Sequence, residues 1–421
     1  MPFEFWRIVR AALLAVTLFS AAFAFGSAAS QAPNELDRRV DEISQHALTT
    51  QPVIALVDPD RQAAARRRAQ MTLPGWLLAA LFEAAALAYF WSSGAAATMR
   101  DRLRRRIAGE ATVRFVFGAT LALIARVAAL LPAFYLYRVE RAMGLSPELT
   151  RVWAAYWIFH TILAMIVAGI IVAVVLWLVD RTHQWYAYTV VIVLGASLAW
   201  SYASPLFEVP GAWGLQPAVG AIRQGIETTL ARGRVPPVPV LVRRSRTSSL
   251  PDAVVVGLGP FRRVVLTSSL VAGSTIPEIV YVVTYEIGHS LHADPLFFAL
   301  IEGGIIIVFS ALAIVLADRI GFRRDDDPLS RLALVGALLA IVYIVAVPVR
   351  NAALRSYDVA ADGYALSLTA DRPAAVRAIV RAADRRTQEV CPEFLPHLFL
   401  DAHPSPAVRA EAINGVPSGC P

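Results

Sequence analysis

The sequence predicts a mostly α-helical, polytopic membrane protein with about seven transmembrane helices and one small α+β domain. Three observations carry that expectation. Of the 421 residues 57% are hydrophobic and only 17% charged, with mean hydropathy +0.55, whereas soluble chains carry about a quarter charged residues. Apolar runs of roughly 20 residues recur, the length at which a helix crosses a bilayer with every backbone polar group paired internally. Between two of these runs lie short β-branched stretches punctuated by Gly, Pro and Ser.

In chain order, the first apolar run covers about residues 8–28. Arg7, Arg10, the run itself and the small residues of GSAAS also describe a cleavable signal peptide, so 1–28 is a first span or a signal peptide. Residues 29–73 form a soluble first loop in which Arg66–Arg68 lead towards the second span. Spans follow at about 74–94, 112–137, 153–179 and 185–203, a four-span region over 74–203. Trp76, Trp91, Trp153, Trp177 and Trp185 lie near span ends, as an interfacial aromatic belt requires.

Residues 204–294 read as the small α+β domain. A helical run near 216–232 precedes PVPVLVRR, DAVVVGLG and RRVVLTSSL, which read as short strands joined by turns. Two further spans, at about 295–317 and 330–349, occupy 295–349. The C-terminal piece, 350–421, is Arg- and Ala-rich and helical to about 387, then Pro-rich and irregular. Glu83, Arg126, His160 and Glu302 fall inside spans, where charge and polarity are costly, and are candidates for lining a water-filled interior.

Every basic side chain is Arg, and the net charge is +7. No basic stripe interleaved with aromatics suggests nucleic acid. The expected partners are the lipid bilayer and a peptide or membrane-protein substrate. The all-Arg, Ala-rich composition points to a bacterial inner membrane.

The chemistry is concentrated in VVTYEIGHSLHAD, residues 282–294. In H-E-x-x-H, two His one helical turn apart reach one Zn²⁺ while the Glu beside them acts as general base. Glu286 and His289 are in place here, but the first position is Tyr285.

The surroundings of that motif carry a family likeness. SRTSSLPDAVVVGLGPFRRVVLTSSLV (245–271) resembles a strand pair, PEIVYVVTYEIGHSLHAD an active-site helix, RSYDVAADGYAL (355–366) a third-ligand helix, and HPSPAVRAEAI (403–413) a late His-Pro segment. In this order and among this many spans, they resemble the integral-membrane CAAX prenyl protease (type 1) family of zinc metallopeptidases. The resemblance implies a metallopeptidase-like α+β domain and peptide hydrolysis by zinc-activated water. Glu286 would be the base, His403 and Arg409 would stabilise the oxyanion, and Asp362 would orient a ligand. An edge strand at Asp252, Ala253 and Val254 would hold an extended peptide.

Two departures fall on the metal and one on the edge strand. Tyr285 replaces the first ligand, Asp358 stands where the family has Glu, and Asp252 where it has Asn. A neutral phenol with a pKa near 10 is a poor zinc ligand unless the metal itself lowers that pKa. Three arrangements stay open. Zinc is held by His289 and Asp358, with Tyr285 weak or absent as a ligand; or His292, three residues after His289 on the same face, substitutes; or the site is metal-free and the chain acts as a non-hydrolytic membrane binding or scaffold protein.

Two lines conflict on which side the site faces. The Arg-rich loops MRDRLRRR and DRIGFRRDDDPLSR lie on the side opposite the motif, which places the motif outside the cytoplasm. Cys391 and Cys420, the only cysteines, fit a disulfide in an oxidising compartment. The eukaryotic relatives, by resemblance, face the cytosol, and Arg66–Arg68 in the first loop agree with them. The expectation is an extracytoplasmic site.

Overall fold

The computed structural model describes residues 33–146, 149–203, 214–244, 250–257, 262–291, 294–321 and 327–420. The first apolar run and His292 lie outside them. Among the described residues, five helices are long and apolar enough to cross a membrane, and the helix Trp185–Ala203 contains a shorter apolar one. The fold is a polytopic helical membrane protein with one small sheet, as its composition predicts.

Two of the spanning helices do more than span. Pro59–Ser92 starts at Asp58, whose carboxylate caps the amides of Asp60 and Arg61, with Pro59 at the first helical position. At 34 residues it is about 50 Å long against a hydrocarbon core of about 30 Å. Its charged first turns therefore stand outside the bilayer, where Arg66 meets Glu389 at 3.2 Å and Arg68 meets Glu140 at 2.9 Å. Pro328–Thr369 is capped by Asp327 and runs unbroken for 42 residues to Ala370, whose φ of 51° ends it. The sixth apolar run of the described chain and the acidic segment at Asp358 and Asp362 thus share one helix, with Pro348 inside it.

The predicted span at 112–137 is instead two helices, Glu110–Ala128 and Leu130–Ala142. Pro132 accounts for the break, because it has no N–H for the carbonyl of Ala128 and its ring clashes with that turn. Glu110–Ala128 crosses Thr150–Arg181 closely. A Cβ on Gly118 would lie 2.7 Å from the carbonyl of Ala168, and one on Gly169 would lie 2.8 Å from that of Phe115. Small residues at such a crossing let membrane helices pack backbone to backbone.

The sheet of the soluble lobe comprises β1 (Leu215–Pro217), β2 (Val240–Arg243), β3 (Ala253–Val256) and β4 (Arg263–Thr267). Its order is β1-β2-β4-β3, with β2 and β4 parallel and the outer pairs antiparallel. β4 is central and buries Val264, Val265 and Leu266, while β3 is an edge. Packed on the sheet are the helix Gly220–Arg232 and the motif helix Ile276–Leu291, through Ile226, Leu230, Ile279, Val283 and Ile287.

The other face of the motif helix meets a second core. Here the first loop is helical (Pro33–Asp41, Gln45–Thr50, Val53–Leu56) and folds onto Arg372–Arg386 and Pro406–Asn414. Val40, Leu48, Tyr281, Val376, Val380 and Ile413 are buried together. Arg381 bolts this layer to the motif helix. It donates to Glu278 at 2.7 and 3.1 Å, to Asp37 at 3.2 Å and to Asp41 at 2.5 Å, with Glu278 wholly buried. A disulfide joins Cys391 to Cys420 in the same lobe.

Candidate functional site

The motif helix is amphipathic in an unusual sense, since both of its faces are buried and each has its own chemistry. Tyr281, Tyr285 and His289 recur every four residues, so they share one face. That face meets Asp358 and Asp362, one turn apart on Pro328–Thr369. The hydroxyl of Tyr281 donates to Asp362 at 2.6 Å, that of Tyr285 donates to Asp358, and His289 Nε2 lies 3.4 Å from Asp358 Oδ1. Gly288 allows the approach, because a Cβ there would meet Tyr364 at 3.1 Å and the backbone of Ala361 at 3.3 Å.

Glu286 points away from this zipper, towards the sheet. Its Oε2 accepts the N–H of Val255 at 3.1 Å. Val255 belongs to edge strand β3, so the carboxylate and the open side of the strand face one cleft. Burial pushes the Glu286 carboxyl up to about 7, against the opposing pull of His289 and the Val255 N–H. Val254 remains exposed on the strand.

The C-terminal segment closes the cleft from the far side. His403 Nδ1 lies 3.1 Å from Asp358 Oδ1, the oxygen that Tyr285 and His289 also face. Arg409 grips Asp362 with two bonds, at 2.7 and 2.8 Å, and its guanidinium lies 4.5 Å above the ring of Tyr285. The whole cleft measures about 800 Å³ and reaches from Asp252 at the strand to Glu302 and Arg350 at the spanning helices.

The described residues expected to bind metal, catalyse or hold a peptide come to one place: Tyr285, Glu286, His289, Asp358, Asp362, Asp252, Ala253, Val254, His403 and Arg409. Some occupy other roles than expected. Arg409 is bound to Asp362 and Tyr285, and Asp252 is held by Arg386, which also donates to the Pro251 carbonyl at 2.7 Å. Of the polar residues expected to line an interior, Glu302 pairs with Arg350 on the cleft wall. Arg126 lies 5.8 Å over Trp157, and His160 is exposed on its helix with Nδ1 on the Tyr156 carbonyl, so it does not line the cleft. Residues that sequence reasoning passed over are Arg386, Asn351 and Arg355. Each acts on a backbone or side chain distant in sequence, and no local pattern marks them.

Comparison with known proteins agrees with this layout. Residues 220–416 match the family described as Peptidase family M48, and residues 44–211 match the CAAX prenyl protease N-terminal family of five membrane helices. The chain belongs to the CAAX prenyl protease-like family of M48 peptidases. A Bacillus subtilis (strain 168) protein named uncharacterized metalloprotease YhfN is 25% identical over 304 residues, 70% of this chain and 71% of that protein. The crystal structure of S. mikatae Ste24p shares the fold, with TM-score 0.70 and 20% identity over 95% of this chain and 98% of that one.

A metallopeptidase family implies a metal, typically zinc, so the donor set needs testing against one. A zinc site takes three protein donors from His, Cys, Asp and Glu. No group of three or more such side chains placed to hold a metal ion occurs among the described residues. His289 and Asp358 supply two donors, while His403 turns its Nδ1 onto Asp358 Oδ1 as a hydrogen-bond partner at 3.1 Å. Tyr285, at the third position, is a phenol whose pKa burial raises well above its usual value, and its hydroxyl already donates a hydrogen bond to Asp358. These described residues do not fit a three-ligand zinc site.

Proposed function

We propose that this membrane-embedded member of the M48 family is a non-hydrolytic peptide-binding protein that keeps the cleft of its relatives and lacks their metal chemistry. One observation carries the reading: the Tyr285 hydroxyl is bonded to Asp358, so the two metal-ligand positions altered from the family pattern satisfy each other. The binding apparatus is intact beside them. Edge strand β3 lines the cleft with no further strand beside it among the described residues, its Val255 N–H held by Glu286, and an extended peptide adds to such an edge through main-chain hydrogen bonds. The substrate of the relatives becomes, on this reading, the ligand here: an extended peptide or an unfolded segment of a membrane protein.

A second reading, a weak zinc metalloendopeptidase, draws support from Glu286. Its carboxyl is poised near neutral pH beside His289 and facing the strand, where a general base belongs. Zinc per chain in purified protein separates the two, measured beside Tyr285→His and Tyr285→His/Asp358→Glu variants. The first reading expects zinc-free parent protein that binds labelled extended peptides without cleaving them, and zinc uptake in the double variant. Near-stoichiometric zinc in the parent, with cleavage abolished by Glu286→Gln, overturns it in favour of the second.

The lobe is assigned to the extracytoplasmic side of a bacterial inner membrane. Support comes from the Cys391–Cys420 disulfide, since such bonds persist in oxidising compartments, and from the Arg-rich loops opposite. Thiol alkylation of intact cells reads this directly. Cysteines reactive without a reductant place the lobe in the cytosol.

A further inference from the structure

One short helix of the soluble lobe carries large apolar side chains that are mostly exposed. It is Phe394–Leu400, and in it Phe394 is 75% exposed and Leu395 55%. Elsewhere in the lobe, residues of this size are mostly packed into the two cores. These two sit side by side at the start of a helix of seven residues, about two turns.

Where that helix lies is fixed by three contacts. Phe399 meets Trp76 in a tilted contact at 5.8 Å between ring centroids, and Trp76 meets Tyr343 in the same way at 6.0 Å. Asn351 donates to the carbonyls of Leu398 and Phe399 at 3.3 and 3.1 Å, and Arg355 to those of His397 and Asp401 at 3.2 and 2.7 Å. On the helix Pro59–Ser92, the basic first turns end at Arg68, and Trp76 opens an apolar run in which Glu83 is the one charge. On Pro328–Thr369, the apolar run ends at Val349, and Arg350, Asn351 and Arg355 follow. Both helices thus cross from hydrocarbon to water at the level where Phe394–Leu400 is docked. Exposed Tyr343, Val345 and Val349 continue the apolar surface below it.

We propose that Phe394–Leu400 is a membrane-surface anchor. Phe394 and Leu395 insert into the lipid interface on the motif side of the bilayer, and the anchor seats the segment that follows it. The occupant is lipid rather than a protein partner because the patch is continuous with the lipid-facing belt of the spans, and amphipathic helices lie at this depth with their apolar face down. The seating follows from chain connectivity. Leu400 ends the anchor and Asp401, Ala402 and His403 follow it directly; all four line the cleft, with His403 on Asp358. The inference rests on the membrane-spanning fold and holds whether or not the cleft cleaves peptides.

The test uses the full chain in nanodiscs containing a phosphatidylcholine with a diazirine on its acyl chain. After illumination, mass spectrometry is expected to find lipid adducts on Phe394 or Leu395 at a yield within a few-fold of that on Val345. None is expected on Val219, an exposed apolar residue of the lobe. Adducts on Val345 with none at 394–395 overturn the anchor. In the same discs, Phe394→Gln/Leu395→Gln is expected to raise hydrogen exchange at 398–403 several-fold while β2 and β4 stay unchanged. Unaltered exchange there, with lipid adducts present in the parent, retains the anchor and overturns the seating.

Discussion

Glu286→Gln is expected to stabilise the protein at high pH and to have little effect at low pH. The cause is the position of this carboxyl, half-buried between the motif helix and β3, where burial pushes its pKa from 4.5 up to about 7. A group whose pKa is raised on folding holds its proton more tightly in the native state, so its contribution is fully present below the unfolded pKa and lost as pH rises through the folded one. The difference of 2.5 units converts to roughly 3 kcal/mol lost by pH 8 and under about 1 kcal/mol at pH 5. Gln keeps an oxygen for the Val255 N–H and never ionises, so it avoids that loss. In detergent or nanodiscs, the variant should melt on the order of 5 °C above the parent at pH 8, with the gap narrowing at pH 5. A gap independent of pH, or a less stable variant at pH 8, would show that Glu286 is charged in the native state and would refute the reasoning. The same titration reports on zinc, because a bound divalent cation would draw the carboxyl down and erase the pH dependence.

Other consequences are as direct. Arg381→Met leaves Glu278 wholly buried without its cation and should cost about 3–5 kcal/mol of stability. Much of that should be restored by adding Glu278→Gln, as read by a double-mutant cycle in thermal unfolding. Gly118→Ala forces a Cβ to 2.7 Å from the Ala168 carbonyl and should cost about 1–3 kcal/mol; Gly304→Ala, with nothing within 4 Å, serves as the near-neutral control. Reduction of Cys391–Cys420, which closes a separation of 29 residues, should cost about 3–4 kcal/mol, visible as a lower melting temperature in reductant.

What was readable in advance follows from what is local. A 20-residue apolar run decides its environment without reference to the rest of the chain, so the spans beyond residue 59 were evident. The β-branched runs around Val240, Ala253 and Val264 also announced strands. The same local reading overestimated separateness. It divided Pro328–Thr369 at the end of the apolar run because hydropathy changes there, although nothing in the backbone does. It likewise treated Arg66–Arg68 as a loop, when they are the exposed turns of an overlong helix. Within the site, residue types suggested which side chains take part, but pairing lay beyond reach. That Tyr285 bonds Asp358, 73 residues away, depends on two helices running antiparallel with Gly288 between them. The grips of Arg386 on Asp252 and of Arg355 on the turn before His403 are equally products of tertiary packing.

The single helix that holds both a membrane span and the acidic pair behaves as a lever. Asp358 stands ten residues past Pro348, about 15 Å along the axis. A change of about 10° in bend at that proline would sweep Asp358 sideways by roughly 3 Å. That exceeds the slack of a hydrogen bond. Tyr281 and Tyr285 tie the motif helix to the same lever, so bilayer thickness, tilt and cleft width are mechanically joined in this molecule.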